Sequence, residues 1–186
     1  MIEHHFSNFR SAIEWPDARP YYEEPQRGGR LEHISKYAVA AVEYAGEARE
    51  IAPKCESAIE TELGARLNMA LRRINDATLT LVPQYKLGRY RYDFAITRQD
   101  RPKPIVLVEC DGKEFHSTND QIANDRVKDA LAKSETIFLY RFTGSDIFRY
   151  GPACVAEIIK MMRFHGHLTQ DQWDRTLESG GDFISF

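Results

Sequence analysis

The apolar run Ile105-Val106-Leu107-Val108 ends abruptly in Glu109, Cys110 and Asp111, and no other feature constrains this chain as much. A β-branched run of this kind reads as a buried strand. A carboxylate directly behind it lies where acids rarely sit unpaired. Fifteen residues separate Asp93 from Glu109, enough for one strand to finish, turn and pair with the next. The segment RYRYDFAI alternates large apolar and charged residues, and RQDRPKP is a Pro-containing turn before IVLVEC. The two runs therefore read as a hairpin. Strand side chains alternate faces, so Glu109 and Asp111 share one side with α-carbons about 7 Å apart. Asp93, from the paired strand, is expected to bring a third carboxylate to the same place. Three buried acids repel one another and are costly to desolvate, so a cation belongs among them. Mg²⁺ takes one or two protein carboxylates and keeps its other positions for water and a phosphate oxygen, a geometry suited to phosphodiester hydrolysis. The plainer alternative is that acids are common at strand ends and Asp-Gly is an ordinary turn signal.

Further pieces stand around these acids in a fixed order: SAIE at 57–60, PQYKLGRYRYDF at 83–94, VECDGKEFH at 108–116, NDRVKDAL at 124–131 and YRFTGSDI at 140–147. In this order, from Ser57 to about Ile159, the chain resembles the PD-(D/E)XK nuclease superfamily, and most closely its DUF559-like and very-short-patch-repair-like endonuclease branch. The resemblance implies an α/β (α+β) fold with a restriction-endonuclease-like αβββαβ core, a mixed sheet flanked by helices. It also implies Mg²⁺-dependent cleavage of nucleic acid, with Mn²⁺ as an alternative ion, but not which nucleic acid; DNA is the substrate expected here.

Carried over by residue, the resemblance makes Asp93 and Glu109 the two metal-binding acids. Asp111 takes the place where many members have lysine. A lysine there would orient and deprotonate the attacking water, whereas an aspartate acts as a base or a further metal ligand. Acidic residues do occupy that place in this branch. Lys113 is a candidate substrate contact, but Gly112 is expected to break the strand before it, which argues against its standing in for the lysine. His116 matches a histidine that the branch often carries just past the acids; hydrogen bonding to a phosphate and proton relay suit a group titrating near neutral pH, and a surface loop histidine is the alternative. Glu60 becomes an extra acid reaching over from the first core helix, although Ser57-Ala58-Ile59-Glu60 is also a capping box. Gln84 matches a glutamine of the branch, placed to hydrogen-bond metal-bound water or phosphate, or else backbone at the strand edge. Lys86, Arg89 and Arg91 are spaced two or three apart, and Arg91 in particular is expected to contact phosphate. Arg126 is expected to face substrate, and Arg141, which matches an arginine of the family, to face substrate or brace an acid, with a structural ion pair as the alternative for each.

Around these motifs the helical periodicity is plain. Ile59, Leu63, Leu67, Ala70, Leu71 and Ile74 form one apolar helix face. STNDQIANDRVKDALAKSE reads as a helix with Ile122, Val127, Ala130 and Leu131 inward and with Arg126 and Lys128 upon it, followed by the strand TIFLYRFTG. A β-helix-β crossover of this kind makes that strand parallel to the acid-bearing one. GPACVAEIIKMMRF reads as an amphipathic helix, and LTQDQWDRTLES as a short one capped by Thr169. The organisation expected is an N-terminal arm and helix over 1–56, a nuclease core over 57–164 and a helical tail over 165–186, all in one compact domain. The first thirty residues read as an irregular arm, and 31 to about 50 as a second amphipathic helix. Packing on the sheet, forming a homodimer and covering the cleft are the roles open to them.

At 186 residues, 42% hydrophobic and 28% charged, the chain has enough apolar material for one real core. It has neither an apolar stretch of membrane-spanning length nor a signal-peptide shape at its start, so a cytoplasmic protein without membrane partners is expected. Cys55, Cys110 and Cys154 are odd in number and lack Cys-x-x-Cys spacing, which argues for reduced thiols over disulfides or a zinc knuckle. The net charge of −3 is unevenly spread: residues 1–62 hold 7 basic and 12 acidic side chains, 63–141 hold 14 and 10, and 142–186 hold 4 and 6. The positive excess therefore falls on the segment expected to meet phosphate. Two functions are open on this sequence, a metal-dependent endonuclease and a nuclease-like module that no longer cuts and instead binds DNA or docks a protein.

Overall fold

The computed structural model describes residues 42–111 and 119–178, leaving aside the side chains of 119–125. The arm expected over the first thirty residues, most of the helix expected over 31 to about 50, the tail beyond 178, and Lys113, His116 and the Ile122 side chain lie outside what is described. Tyr44–Phe186 is one compact unit. Within it, residues 44–51 are helical and a 3₁₀ turn, Ala52–Lys54, follows.

The first core helix, α1 (Ala58–Ile74), starts where the sequence signals it. Ser57 is extended, and its hydroxyl accepts a hydrogen bond from the Glu60 amide. At the other end Asn75 takes the left-handed conformation, φ 55°, that commonly terminates helices. Leu63, Leu67, Ala70, Leu71 and Ile74 are buried as the periodicity requires, and Ile59 is half-buried.

Two hairpin strands follow, β1 (Leu79–Leu87) and β2 (Tyr90–Arg98). They turn at Gly88, whose φ of 60° suits glycine. β3 (Val106–Asp111) pairs antiparallel with β2. The chain then crosses through α2 (Asn119–Ser134) to β4 (Phe138–Thr143), which lies parallel to β3 as expected. The sheet order is β1-β2-β3-β4. This is the αβββαβ arrangement with a mixed sheet anticipated from the motif order.

After β4 comes α3 (Gly144–Phe164), longer than the stretch from Gly151 read from the sequence. The reason is local: the Thr143 hydroxyl caps the Asp146 amide and donates to the Asp146 carboxylate at 2.6 Å, which starts the helix seven residues earlier. Tyr150 then leaves helical geometry, φ −137° and ψ 27°, just ahead of Pro152. The last helix, α4 (Gln170–Glu178), begins with a reciprocal box in which Thr169 Oγ1 accepts from the Gln172 amide and Gln172 Oε1 from the Thr169 amide. Asp76 ties α4 back to the core, accepting from Gln172 at 2.8 Å and from Thr78. Among the described residues no helix is long and apolar enough to cross a membrane.

Helices cover both sides of the sheet. α1 and α3 lie on one side, where Phe94 of β2 presses on Gly64 so closely that a β-carbon there would meet the ring at 2.8 and 2.9 Å. On the other side Tyr92, Ala95 and Leu107 pack with Ala132 of α2 and Ile137. Here one sequence expectation is corrected. Val127 is 43% exposed and Ala130 is exposed, while Ala132 is buried, so α2 is turned by about one residue from the face read off its apolar periodicity. Its inward face carries Lys128 in place of Val127, because a buried carboxylate on β3 requires the ammonium there. Replacing Gly64 with valine should overfill the α1–β2 contact and lower stability by roughly 1–3 kcal/mol, seen as a reduced urea midpoint with an unchanged slope.

Candidate functional site

The acids of interest lie where β2 and β3 part. Their ladder ends at the pair Phe94↔Val108. One step beyond it the Cys110 amide donates to Asp93 Oδ2 at 2.6 Å, so a side chain takes up the hydrogen bond that the departing strand no longer supplies. The sheet is distorted at this step. Gln84 stands opposite Asp93 in the β1–β2 register, between Pro83↔Phe94 and Tyr85↔Tyr92, and has a φ of 52° inside a strand. Strand alternation fails here too, since Tyr92 and Ala95, three apart, both join the α2-side cluster. The kink lets Asp93 leave the pleat and turn toward the end of β3.

On β3, Leu107 and Glu109 face α2. Glu109 is 7% exposed, and Lys128 Nζ lies 2.5 Å from its Oε1. The lysine is held from below: its Nζ lies 5.2 Å from the centre of the Tyr92 ring, and the Tyr92 hydroxyl donates to the Lys128 carbonyl at 3.3 Å. The sequence places Lys128 on the helix without a role, and the structure shows it as the partner of Glu109. The signal that could have found it is its place four residues before Ala132, on the one stripe of α2 that could meet β3.

Burial pushes the Glu109 carboxyl above its usual range, with Lys128 opposing the shift and Asp93 adding to it. Burial likewise raises the Asp93 carboxyl; the Cys110 amide and Lys128 oppose, while Glu60 and Asp111 add to the rise. The Cys110 thiol is pushed up by burial and by the surrounding acids, which keeps it protonated. All three cysteines are free thiols.

Arg141 stands opposite Glu109 in the β3–β4 register. Its guanidinium hydrogen-bonds Asp129 of α2 at 3.1 Å and lies 3.9 Å from Asp111, whose side chain is half exposed. The ion-pair alternative for Arg141 is thus realised, at a position that also faces the acids. Arg126 is exposed on α2. Arg91 forks onto Glu56 with bonds of 2.6 and 2.7 Å. Lys86 and Arg91 pair across the strands and so share a face, while Arg89 sits in the turn and stacks on Tyr90.

From the α1 side, Glu60 is buried and does two things at once. Its carboxylate accepts from the Ser57 hydroxyl at 2.8 Å and from the Glu56 amide at 2.9 Å, a capping box that reaches one residue further back than expected. It also accepts from Gln84 Nε2 at 2.8 Å. Glu62 turns away to bind Arg66. Gln84 Oε1 is left buried with no hydrogen-bond partner among the described residues.

Among the described residues no three His, Cys, Asp or Glu side chains gather into a ready metal cage. Glu109 turns to Lys128, and Asp111 lies near Arg141. What the arrangement offers a cation is the hard carboxylate pair Asp93 and Glu109, each with one oxygen engaged, beside the unpartnered amide oxygen of Gln84. Two carboxylates with the remainder from water suit Mg²⁺ better than a thiolate-loving ion.

Residues 68–162 match the family REase_MTES_1575. The match runs from within α1 to within α3 and takes in Gln84, Asp93, Glu109, Asp111, Lys128 and Arg141; only Glu60 lies ahead of it. A match of this extent, on this sheet, places the chain in that restriction-endonuclease-like family. No curated protein and no solved structure matches the chain.

Two stability outcomes follow from the charges. Lys128→Met leaves Glu109 buried and unpaired, and should cost roughly 3 kcal/mol at pH 7. The loss should shrink toward pH 4 as Glu109 takes up a proton, and most of it should return in a Glu109→Gln/Lys128→Met double variant. Asp93 is raised in the fold, so its ionisation opposes folding above its ordinary value of 3.8 and is neutral below it. Asp93→Asn, which can still accept from Cys110, should therefore raise the melting midpoint at pH 7 in metal-free buffer. That gain should vanish near pH 3.5.

Proposed function

We propose that this protein is a divalent-metal-dependent endonuclease of the DUF559-like and very-short-patch-repair-like branch, hydrolysing phosphodiester bonds of DNA. The observation that carries the reading is the Glu109–Lys128 pair buried beside Asp93 at the mouth between β2 and β3, in a chain of a restriction-endonuclease-like family.

Asp93 and Glu109 are the residues that would hold Mg²⁺ or Mn²⁺. When bound, the ion supplies a Lewis acid and lowers the pKa of its water. The chain's own residues do the positioning. Lys128 fixes the Glu109 carboxylate and puts a positive charge where negative charge grows on the phosphoryl oxygens. It thereby gives the site, from α2, the ammonium that the superfamily pattern takes from the position of Asp111. Asp111, half exposed at the end of β3, would accept a proton from the attacking water. Arg141 orients Asp111 and offers a second cation to the phosphate. Gln84, fixed by Glu60, presents its unpartnered oxygen as an acceptor for water. His116, Lys113 and Arg126 belong to the same reading as substrate contacts.

A second reading, binding without cleavage, is favoured by one observation: the acids at the end of β3 turn to Lys128 and Arg141 instead of gathering. Incubation with supercoiled plasmid, single-stranded DNA and RNA in Mg²⁺ or Mn²⁺ separates the two. The nuclease reading expects cleavage of DNA, abolished by chelation and reduced on the order of 100-fold or more by Asp93→Ala or Glu109→Ala. It is wrong if purified protein cuts none of these substrates, or if both variants cut like the parent chain.

A further inference from the structure

The outer half of the β1–β2 hairpin is two-faced. Tyr85 pairs with Tyr92 and Leu87 with Tyr90, and these four side chains turn to the cluster beneath α2. Lys86 pairs with Arg91 on the opposite face. Two like charges directly across a strand pair destabilise it unless an anion lies nearby. At present that anion is Glu56, which Arg91 holds through both carboxylate oxygens, with both side chains at least half exposed. A forked guanidinium that grips a carboxylate has the geometry to grip a phosphate. Lys86 is exposed and has no partner among the described residues. Arg89 adds a third cation at the turn.

This face continues into the site. Gln84 and Asp93 come next along the two strands, about 7 Å away by strand rise, with Gln84 reaching Glu60 of α1 much as Arg91 reaches Glu56 just ahead of that helix. Past Asp93 the hairpin has no pairing with β3, so this part of it is a two-stranded ribbon leading away from the acids. The apolar side pins it to α2, which leaves the basic side rigid and outward. A two-stranded ribbon fits the roughly 12 Å major groove of B-form DNA, whereas the major groove of A-form RNA is too narrow to admit it.

We propose that residues 85–92 form the arm that docks duplex DNA beside the site, with Lys86, Arg89 and Arg91 on phosphates. Glu56 serves as a carboxylate stand-in that a phosphate must displace from Arg91. The inference rests on the nuclease reading for its nucleic-acid partner, but its test needs no cleavage.

The test is anisotropy of a labelled DNA duplex with the full chain in EDTA, over a series of salt concentrations. Lys86→Glu/Arg89→Glu should weaken binding at least tenfold and flatten the slope of log K against log salt by roughly 2, about 0.9 for each phosphate no longer neutralised. Glu56→Gln should bind at least threefold tighter, with a slope steeper by about 1. Lys160→Glu, a single exposed charge reversal on α3, should bind duplex like the parent chain. An RNA duplex of equal length should bind at least tenfold more weakly. The proposal is overturned if the double variant keeps the parent's affinity and slope, if Lys160→Glu weakens binding as much, if Glu56→Gln changes nothing, or if RNA duplex binds equally well with equal sensitivity. Cleavage that persists alongside any of these leaves the nuclease reading standing. No DNA binding by the parent chain removes the arm, whereas cleavage judges the site. Melting curves of each variant check that the arm stays folded; the substituted side chains are exposed.

Discussion

A carboxylate at the end of a buried strand must be neutralised or paired, and much of this molecule is arranged around how Glu109 meets that demand. Its partner is Lys128, which reaches it from the crossover helix. That single contact sets the rotation of α2, and through α2 the packing of Ala132 against Tyr92, Ala95 and Leu107. It also explains an otherwise wasteful feature, an exposed Val127 on a helix with few apolar residues. Burying the valine would have turned the lysine to water and left the acid stranded.

The parting of β2 and β3 is the second organising event. Asp93 keeps its bond to the Cys110 amide while the backbone of β2 leaves the ladder, and the left-handed Gln84 absorbs the distortion on β1. A mouth opens between the hairpin and the β3–β4 pair. Elements from both sides of the sheet reach it, Glu60 from α1 and Lys128 from α2. Charges of both signs are therefore held within one partly desolvated place, where burial raises the acids and the cations restrain that rise.

Much of the fold was legible because it rests on short-range signals. The Ser57 and Thr169 caps, the apolar stripe of α1 and the antiparallel turn before IVLVEC are properties of neighbouring residues, and each appears where the sequence puts it. The parallel placement of β4 followed from a general rule of crossovers. What misled was also short-range. Apolar periodicity placed Val127 inward on α2, and strand spacing gathered Glu109, Asp111 and Asp93 at one point, although spacing along a strand does not say what a carboxylate will pair with. The turn at Gly88 brings Lys86 and Arg91 of PQYKLGRYRYDF onto one face across the strands and puts Arg89 at the tip.

By itself, then, the sequence determined the order of elements and the mixed sheet, since local propensity and motif order carry that information. Tertiary structure alone decided which cation answers which acid: Lys128 for Glu109, Arg141 near Asp111, Arg91 for Glu56. The physical reason is that charge pairing depends on distances of a few ångströms between residues 19, 30 and 35 positions apart. Those distances exist only once the sheet and its helices have closed.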